Sequence, residues 1–388
     1  MNKGRRSFLK ALGATTGAIG LAGVVNAQQS DLNFIVSVKY MGQGGLFAQA
    51  KAADWYTQDM DGVNVQIVNG QSSATTQNQR TIQAMSQDTD GILLNPYDAK
   101  ASTQIVSEAK SMDIPVFNFD TATLSKDVVI GILFGQYRGG EVVAQRFKEE
   151  ILPDMPENPN ILNAVFSFES TTSQQRLNGF QDNVPDSVNF VDTVVSTGTA
   201  SEAATPILNA IRGADETIHG IYSNNVGSAM GALTALQQLG RYAPKDSPDH
   251  VPAFGIDGGS TLNQRIAEGY YDFAVDQPLH FYAPLTLELL FTHLGVDPPN
   301  SGTHPDELPT ADDEEVTTED LKPANKTVFG IQPWKENFWA PAQMTTYQAN
   351  DTEWWPWVKA GHAMITQDNA DAPYLYGNVL REFNQQEG

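Results

Sequence analysis

The chain has 388 residues, a formal charge of −23 at pH 7 and no cysteine. The absence of cysteine excludes disulfides, thiol chemistry and a lipid-modified cysteine at a cleavage site. The negative charge disfavours binding to nucleic acid or to anionic membranes. The length is sufficient for two or three domains with hydrophobic cores, so we expect folding to depend on the burial of apolar side chains.

The N-terminal segment is typical of an export signal. The sequence GRRSFLK, from Gly4 to Lys10, precedes an uncharged run over 11–25 and then Asn26-Ala27. A paired arginine, a short apolar region and a small residue at the cleavage point indicate a twin-arginine signal over 1–30. A membrane anchor is the alternative, but about fifteen residues rich in Gly and Ala do not span a bilayer. We therefore predict a soluble, exported mature protein in a periplasmic or extracellular location.

From residue 33 to residue 150, short apolar runs alternate with amphipathic segments. This alternation is typical of an α/β fold. It predicts strands at Asn33–Val38, Val63–Val68 and Val128–Ile132, and helices at Gly44–Met60, Thr75–Ser86 and Gly140–Glu150.

Within this array, Gly91–Ala122 reads as a strand, an amphipathic helix and a second strand. Such a βαβ crossover makes the two strands parallel and the connection right-handed. Because both strands are uniformly apolar, their polar residues appear only where each strand leaves the sheet. Asn95 and Asp120 are therefore predicted at the carboxyl edge, where open α/β sheets bind their ligands.

A second array of similar length follows a Pro- and Asn-rich link at 153–160. Two such arrays predict two similar Rossmann-like lobes with parallel sheets. We place the N-terminal lobe at 31–136 and 278–296, with part of 327–388, and the C-terminal lobe at 137–277. The predicted strands of the second array are Ile161–Phe168, Asn189–Ser196, Ile218–Ser223, Pro252–Ile256 and Tyr271–Val275, and its helices are Gln174–Val184, Glu202–Arg212, Gly227–Leu239 and Thr261–Glu268, followed by Tyr282–Leu294.

The C-terminal part of the chain differs in composition. Residues 297–326 are predicted to form an exposed acidic loop, because proline and clustered charges do not support a core. Calcium binding by 312–315 is the alternative, but this run lacks the spaced ligands and the glycine of an EF-hand. Residues 327–388 form a tryptophan-rich segment whose rings are predicted to pack on the body of the protein, with stacking on the face of a bound ligand as the alternative.

Motifs for catalysis or cofactor binding are absent or incomplete. The sequence GQGG at Gly42–Gly45 is similar to a dinucleotide fingerprint, but Phe47 stands at the third glycine position and Asn69 ends the second strand in place of an acidic residue. No phosphate-binding loop, zinc-protease helix or serine nucleophile elbow occurs. The six histidines lack the spacing of metal ligands. We predict a protein without catalytic activity, cofactor or bound metal.

Polar side chains follow the predicted strands in both lobes. The set comprises Asn95, Asp120, Asn224, Asn225, Asp257, Asp276 and Gln277 after strands, and Arg176 in a helix. Carboxylates, carboxamides and a guanidinium suit a polyhydroxylated ligand, because each hydroxyl both donates and accepts hydrogen bonds. The alternative is that these residues cap helices and form turns, as Asn and Asp often do.

Several motifs occur in the order seen in type I periplasmic sugar-binding proteins. They are GILLNPYDA from Gly91, IPVFNFD from Ile114, RLNGF from Arg176, Asn225 with MGA from Met230, GIDG from Gly255, and DQP from Asp276. Over Asn33–Leu294 the chain resembles this family, in particular its ribose-binding branch, which feeds ABC importers. The resemblance implies two lobes that are joined by a hinge and close on one sugar. It also implies that Asp120, Arg176, Asn225, Asp257 and Gln277 contact the sugar and that Asn95 lies beside it.

The resemblance further implies ring stacking by aromatic residues of the loop after the first strand, where Tyr40 and Phe47 are the suitable residues. Val226 replaces an acidic residue that is common in the family, and Thr121 replaces an arginine found in ribose binders. We therefore expect a sugar or sugar-like polyol other than ribose. A late segment crosses back to the first lobe in related proteins, and Thr327–Ala340 is the candidate here.

We hypothesise from the sequence an exported, monomeric solute-binding protein. It captures a monosaccharide or polyol in an interlobe cleft and delivers it to the permease of an ABC importer. A ligand-sensing module for a chemoreceptor or sensor kinase would have the same cleft and stays an alternative. A nicotinamide-dependent enzyme is disfavoured by the incomplete glycine loop. A repressor of the lactose-repressor type is disfavoured by the export signal and the charge.

Overall fold

The computed structural model describes residues 31–41, 45–168, 170–197, 199–298, 300, 304, 306–310, 343–349, 352–379 and 381. Several predictions fall outside these residues: the export signal at 1–30, the glycines Gly42 and Gly44, the acidic cluster at 312–315, the crossover at 327–340, and Trp334 with Trp339. Within the described residues the chain divides into two compact units. Unit 1 contains the described residues up to Leu133 and those from Leu279 to Lys359, and unit 2 contains those from Phe134 to Pro278 and those from Ala360 onward.

Strands and helices alternate through most of the described chain. The strands are β1 (Leu32–Val38), β2 (Val63–Asn69), β3 (Gly91–Asn95), β4 (Val116–Asp120), β5 (Val128–Phe134), β6 (Asn160–Val165), β7 (Asn189–Val195), β8 (Gly220–Ser223), β9 (Ala253–Ile256), β10 (Phe273–Asp276), β11 (Gln343–Ala349), β12 (Thr352–Ala360) and β13 (Ala363–Ile365). The helices are α1 (Gly45–Thr57), α2 (Ala74–Ala84), α3 (Thr103–Ser111), α4 (Gln136–Glu150), α5 (Thr171–Gln181), α6 (Ala200–Gly213), α7 (Val226–Gln238), α8 (Ser260–Ala267) and α9 (Tyr282–Leu294).

Unit 1 contains a seven-stranded sheet in the order β11-β12-β5-β4-β3-β1-β2. The five strands from β1 to β5 pair in parallel, and β11 and β12 form an antiparallel hairpin that extends the sheet beside β5. Because β3 and β4 are adjacent and parallel, the predicted βαβ crossover is confirmed. Each residue of these two strands is buried.

The hydrophobic core of unit 1 includes a tryptophan from the C-terminal hairpin. Trp355 is 2% exposed and packs with residues such as Ile92 of β3 and Ile105 of α3. Its indole N–H donates to the carbonyl oxygen of Thr123 at 3.2 Å. The N–H of a buried indole needs a hydrogen-bond acceptor within reach, and this carbonyl oxygen provides one. Trp355 therefore packs the hairpin onto the sheet, as predicted for this part of the chain.

Unit 2 contains a six-stranded sheet in the order β13-β10-β9-β8-β6-β7. All pairings are parallel except that of β13 with β10. Its core contains closely packed aromatic rings: Phe180 of α5 stacks on Tyr222 of β8 at 4.3 Å between ring centroids, and Phe147 and Phe254 pack against Phe180. Each unit is thus an α/β structure with a mostly parallel sheet, which confirms the predicted fold class.

Several predicted element boundaries in unit 2 are wrong by a few residues, including the end of β6 and the start of α4. The strand predicted over Ile161–Phe168 ends at Val165, because the backbone N–H of Phe166 donates to the Asn224 side chain in place of a neighbouring strand. The helix predicted from Gly140 begins at Gln136. Both changes matter for function, because they place Phe166, Phe168 and Gln136 at the carboxyl edge of a sheet or at a helix N-terminus.

No helix among the described residues is long and apolar enough to cross a membrane. In the same residues, no three His, Cys, Asp or Glu side chains are grouped as a metal site would require.

Candidate functional site

The candidate site of unit 1 lies where three neighbouring strands end. Val38, the last residue of β1, is opposite Asn95, the last residue of β3. β3 in turn pairs with β4, which ends at Asp120. Because parallel strands share one carboxyl edge, Lys39, Asn95 and Asp120 follow one another along this edge.

Lys39 and Asp120 form an ion pair at this edge. The ammonium Nζ of Lys39 lies 2.8 Å from Oδ2 of Asp120 and donates a second bond of 2.8 Å to Oγ1 of Thr121. The Asp120 side chain is 7% exposed and Lys39 is 21% exposed. Asp120 also has φ of 62°, a left-handed backbone that a non-glycine residue adopts only where its surroundings enforce it. The predicted site residue Asp120 is therefore fixed by a cation that sequence reasoning missed.

Asn95 is fully buried beneath this edge. Its side-chain Nδ2 donates to Oε1 of Gln49 at 2.7 Å, and its backbone carbonyl accepts a bond from Nε2 of Gln77 at 2.9 Å. Oε1 of the same Gln77 side chain accepts a hydrogen bond from the backbone N–H of Tyr97. Asn95 thus links β3 to α1 and α2, and its side chain supports the edge from within the unit.

The two aromatic residues predicted to stack on a sugar flank the loop after β1. Tyr40 lies two residues after the end of β1, and Phe47 lies in the first turn of α1. Both side chains are partly exposed. Their stacking role stays a prediction.

In unit 2, Arg176 of α5 is the centre of a buried hydrogen-bond network. Its Nε donates to Oε1 of Gln136 at 2.6 Å, and its Nη1 donates to the carbonyl oxygen of Asn224 and to Oδ2 of Asp257, each at 2.8 Å. The guanidinium also lies 5.8 Å from the centre of the Phe134 ring. The Arg176 side chain is 5% exposed. Because arginine stays charged even when it is buried, its burial is favourable only with pairing and hydrogen bonds of this kind.

Two glycines bring the helix of Arg176 against its neighbour. A Cβ atom on Gly179 of α5 would lie 2.0 Å from the carbonyl oxygen of Tyr137, and one on Gly140 of α4 would lie 2.2 Å from the carbonyl oxygen of Arg176. Only glycine permits this backbone approach. The close packing of α4 and α5 places Gln136 within hydrogen-bond distance of the guanidinium.

Asp257 connects Arg176 to Gln277. Oδ2 of Asp257 accepts the bond from Arg176, and Oδ1 accepts one from Nε2 of Gln277 at 2.7 Å. Asp257 has φ of 69°, so its backbone is left-handed like that of Asp120 in unit 1. The structure therefore brings together three residues that sequence reasoning selected from separate strands and a helix: Arg176, Asp257 and Gln277.

Asn225 caps a helix, as the alternative interpretation allowed. Its Oδ1 accepts a bond from the backbone N–H of Ser228 at 3.0 Å at the start of α7, and its Nδ2 donates to Oδ1 of Asn224. Asn224 is itself bonded to Ser173 of α5. Asn225 therefore adjoins the Arg176 network through Asn224 while it performs a capping role.

Asp276 is a fully buried carboxyl at the end of β10. Its Oδ1 accepts a bond from the backbone N–H of Gly258 at 3.0 Å, and its Oδ2 has no hydrogen-bond partner among the described residues. Burial raises the pKa of Asp276 to about 8, the nearby charge of Asp257 raises it as well, and backbone hydrogen bonds from Gly258 and Gln277 lower it. The neutral acid is therefore the main form at pH 7, which reduces the charge of this region.

Exposed large apolar side chains are concentrated near the carboxyl ends of strands. Phe166 and Phe168, which follow β6, are 45% and 53% exposed. The backbone at the start of this segment is bonded to the Arg176 network: the Phe166 N–H donates to Asn224, and the Ser167 N–H donates to Ser173. The others that are exposed among the described residues are Tyr97 after β3, Tyr137 after β5 and Val195 at the end of β7. Sequence reasoning assigned both phenylalanines to a strand and so missed their exposure.

Comparison with known proteins agrees with this architecture. The model of the family described as periplasmic binding protein domain matches residues 34–295. The ribose import binding protein of Salmonella typhimurium is 23% identical over 264 residues, which cover 67% of this chain and 84% of that protein.

Solved structures share the fold at lower identity. A galactofuranose binding protein superposes with a TM-score of 0.66 and 15% identity, covering 91% of this chain and 99% of that one. An ABC transporter solute binding protein from Agrobacterium vitis, with bound D-fucose, superposes with a TM-score of 0.65 and 17% identity, covering 89% of this chain and 99% of that one.

Proposed function

Since the chain belongs to the periplasmic binding protein domain family, we propose that it is an exported solute-binding protein for a monosaccharide or sugar-like polyol. The ligand is held between the two units by the strand-end residues of both. Tyr40, Phe47, Asn95 and Asp120 contribute from unit 1, and Arg176, Asn225, Asp257 and Gln277 from unit 2. The observation that carries the proposal is the bonded group of Arg176, Asp257 and Gln277.

The geometry of this group suits adjacent hydroxyls. Arg176, Asp257 and Gln277 present a guanidinium, a carboxylate and a carboxamide, which are planar groups whose orientations are fixed by bonds to each other. Side chains whose orientation is already fixed lose little conformational entropy on binding. Most of the free energy of each new hydrogen bond therefore contributes to affinity. A ligand that lacks a matching hydroxyl leaves a polar group unpaired, at a cost of about 1–3 kcal/mol.

The charges favour a neutral ligand. Lys39 is paired with Asp120, and Arg176 is paired with Asp257. Asp276, with a pKa of about 8, is mainly neutral at pH 7. In these two networks each described cation is therefore matched by a carboxylate. An anionic sugar would meet no surplus positive charge there, whereas a neutral polyol requires none.

The binding protein acts without chemistry on its ligand. The two units close on the sugar because closure completes its hydrogen bonds, and the permease of an ABC importer recognises the closed form. The protein works in the periplasm or outside the cell after export by the twin-arginine signal, as a monomer. Its relatives support this role: the matching Salmonella protein is a ribose import binding protein.

A thermal-shift panel tests this function. The mature chain is heated with pentoses, hexoses, inositols, nucleosides and branched-chain amino acids, each in large excess. A ligand that binds only the folded chain raises its unfolding temperature. We expect a rise with at least one neutral sugar or inositol. No rise with any of these, together with a rise with a branched-chain amino acid, would reject the proposal.

A further inference from the structure

The loop after β9 carries the carboxylate that joins Arg176 to Gln277. Asp257 begins this loop with φ of 69°. Left-handed backbone is unfavourable for a residue with a side chain, so contacts elsewhere must maintain it. The backbone N–H of Asp257 donates to the carbonyl oxygen of Val275 at 2.9 Å, which anchors only the first residue of the loop. The next peptide group, at Gly258, decides the direction of the chain after Asp257.

Two buried side chains form hydrogen bonds with the backbone of Gly258. One bonds to its N–H and the other to its carbonyl oxygen. Its N–H donates to Oδ1 of Asp276 at 3.0 Å. Its carbonyl oxygen accepts a bond from the hydroxyl of Tyr376. The Asp276 and Tyr376 side chains are 0% and 2% exposed, so water does not compete for either bond. Together they fix the orientation of the backbone that follows Asp257.

Tyr376 belongs to a C-terminal segment that packs on this loop. The segment begins with β13, in which Ala363 is opposite Asp276 of β10. It continues to Gly377, where an added Cβ would lie 2.4 Å from the carbonyl carbon of Gly259 and 2.6 Å from the Ser260 nitrogen. The segment follows the family-matched residues 34–295, so it adds a contact to the loop from outside the matched part of the chain.

We propose that Tyr376 is a positioning residue of the sugar site, because its bond to Gly258 holds the Asp257 carboxylate against Arg176 and Gln277. The inference rests on the proposed function, in which those three side chains bind the sugar. Tyr376 itself does not touch the ligand. Its hydroxyl bonds to the carbonyl oxygen of Gly258 and so affects the adjacent Asp257 side chain, which lies 119 positions earlier in the chain. The C-terminal segment therefore helps to hold the site residues of unit 2 in place.

Two substitutions test the positioning role of Tyr376 in different ways. Tyr376→Phe removes only the hydroxyl, and Gly377→Ala keeps the hydroxyl but forces the segment away from Gly259. Each has a matched control in unit 2. Tyr137→Phe removes a hydroxyl that is bonded to Asp182, and Gly213→Ala adds a methyl group at the end of α6, where no atom lies within 4 Å.

Two measurements are made on the full mature chain. Titration calorimetry uses the neutral sugar that gives the largest thermal shift with the wild type. Hydrogen exchange of the peptide that covers 256–260 is followed without sugar. Tyr376→Phe and Gly377→Ala are each expected to weaken sugar binding about tenfold, as the loss of one net hydrogen bond implies. They are also expected to speed exchange in that peptide, and both controls should match the wild type.

The outcomes separate this inference from the function on which it rests. Wild-type affinity and wild-type exchange in Tyr376→Phe would overturn the inference and leave the sugar-binding function standing. Equal weakening by the two controls would also overturn it, because the effect would then reflect general destabilisation of unit 2. If the wild type binds no neutral sugar, the proposed function fails, whereas the exchange measurement still decides whether Tyr376 holds the loop.

Discussion

The ammonium of Lys39 lies 2.8 Å from Oδ2 of Asp120 in unit 1. Removal of the cation takes the ion pair away from a carboxylate that is only 7% exposed, and the loss of an opposite charge beside a buried carboxylate is unfavourable. We predict that Lys39→Met weakens sugar binding by at least tenfold, on the order of 1.4 kcal/mol. Titration calorimetry measures the change. Lys51→Met is the control, because Lys51 is 32% exposed, lies 3.9 Å from Asp54, and such surface pairs contribute about 0–1 kcal/mol. Equal effects of the two substitutions would contradict a specific role for Lys39.

Arg176 donates to three different groups, and no lysine reaches all of them. Arg176→Lys retains the charge but loses the forked geometry that bonds Gln136, Asn224 and Asp257 at once. We predict a loss of about 2–4 kcal/mol in the free energy of unfolding, measured by urea titration, and a loss of sugar binding. Arg265→Lys is the matched control, since Arg265 is 34% exposed and paired with Glu268 on the surface. A variant Arg176→Lys with wild-type stability and affinity would show that the fork is not required.

Phe166 and Phe168 expose their rings beside the Arg176 network. We predict that these rings stack on the apolar face of the sugar, which contributes about 0.5–1.5 kcal/mol for each aromatic contact. The double variant Phe166→Leu/Phe168→Leu keeps apolar side chains but removes the rings, so affinity should fall about tenfold in calorimetry. Val195→Ala, at another exposed strand end, should bind as the wild type does. Unchanged affinity in the double variant would rule out stacking by these two residues.

Asp276 makes stability depend on pH. Its pKa is about 8 in the folded chain against an ordinary 3.8. Between these pH values the folded chain binds a proton that the unfolded chain has lost. The contribution of Asp276 to stability therefore falls as pH rises through this window, by about 1.4 kcal/mol per pH unit.

Asp276→Asn removes this titration and keeps an oxygen that accepts the bond from Gly258. The free energy of unfolding of the variant, relative to the wild type, should rise steadily from pH 4 towards pH 8. Urea titrations at several pH values measure this difference. A difference that does not change with pH would contradict the raised pKa of Asp276.

The sequence was sufficient to predict the ten strands β1 to β10 and to select the polar residues near their ends, but not the three C-terminal strands β11, β12 and β13. Uniformly apolar runs joined by an amphipathic helix allow few alternatives to a parallel crossover, so β3 and β4 follow from local pattern. The same argument selected Asp257 and Gln277, which the structure joins by a hydrogen bond of 2.7 Å. Asn225 could be interpreted as a cap or as a site residue, and the pattern did not distinguish the two.

Other features depend on contacts between distant parts of the chain. Phe166 extends an apolar run in the sequence, and it leaves the sheet only because Asn224 takes its backbone N–H. Lys39 is a single charge after a strand, and such charges are usually solvated; its pairing depends on Asp120, which is 81 positions away. The bond from Tyr376 to Gly258 spans 118 positions and has no local signature.

The central claim is that one sugar is bound by residues of both units, and one calorimetric comparison tests it most directly. Asp120→Asn changes unit 1, and Asp257→Asn changes unit 2. Each is titrated with the neutral sugar that most stabilises the wild type. We predict that each variant alone loses at least about 100-fold in affinity, because both carboxylates contact the same ligand. Loss of affinity in one variant, with wild-type affinity in the other, would show that the ligand is bound within a single unit.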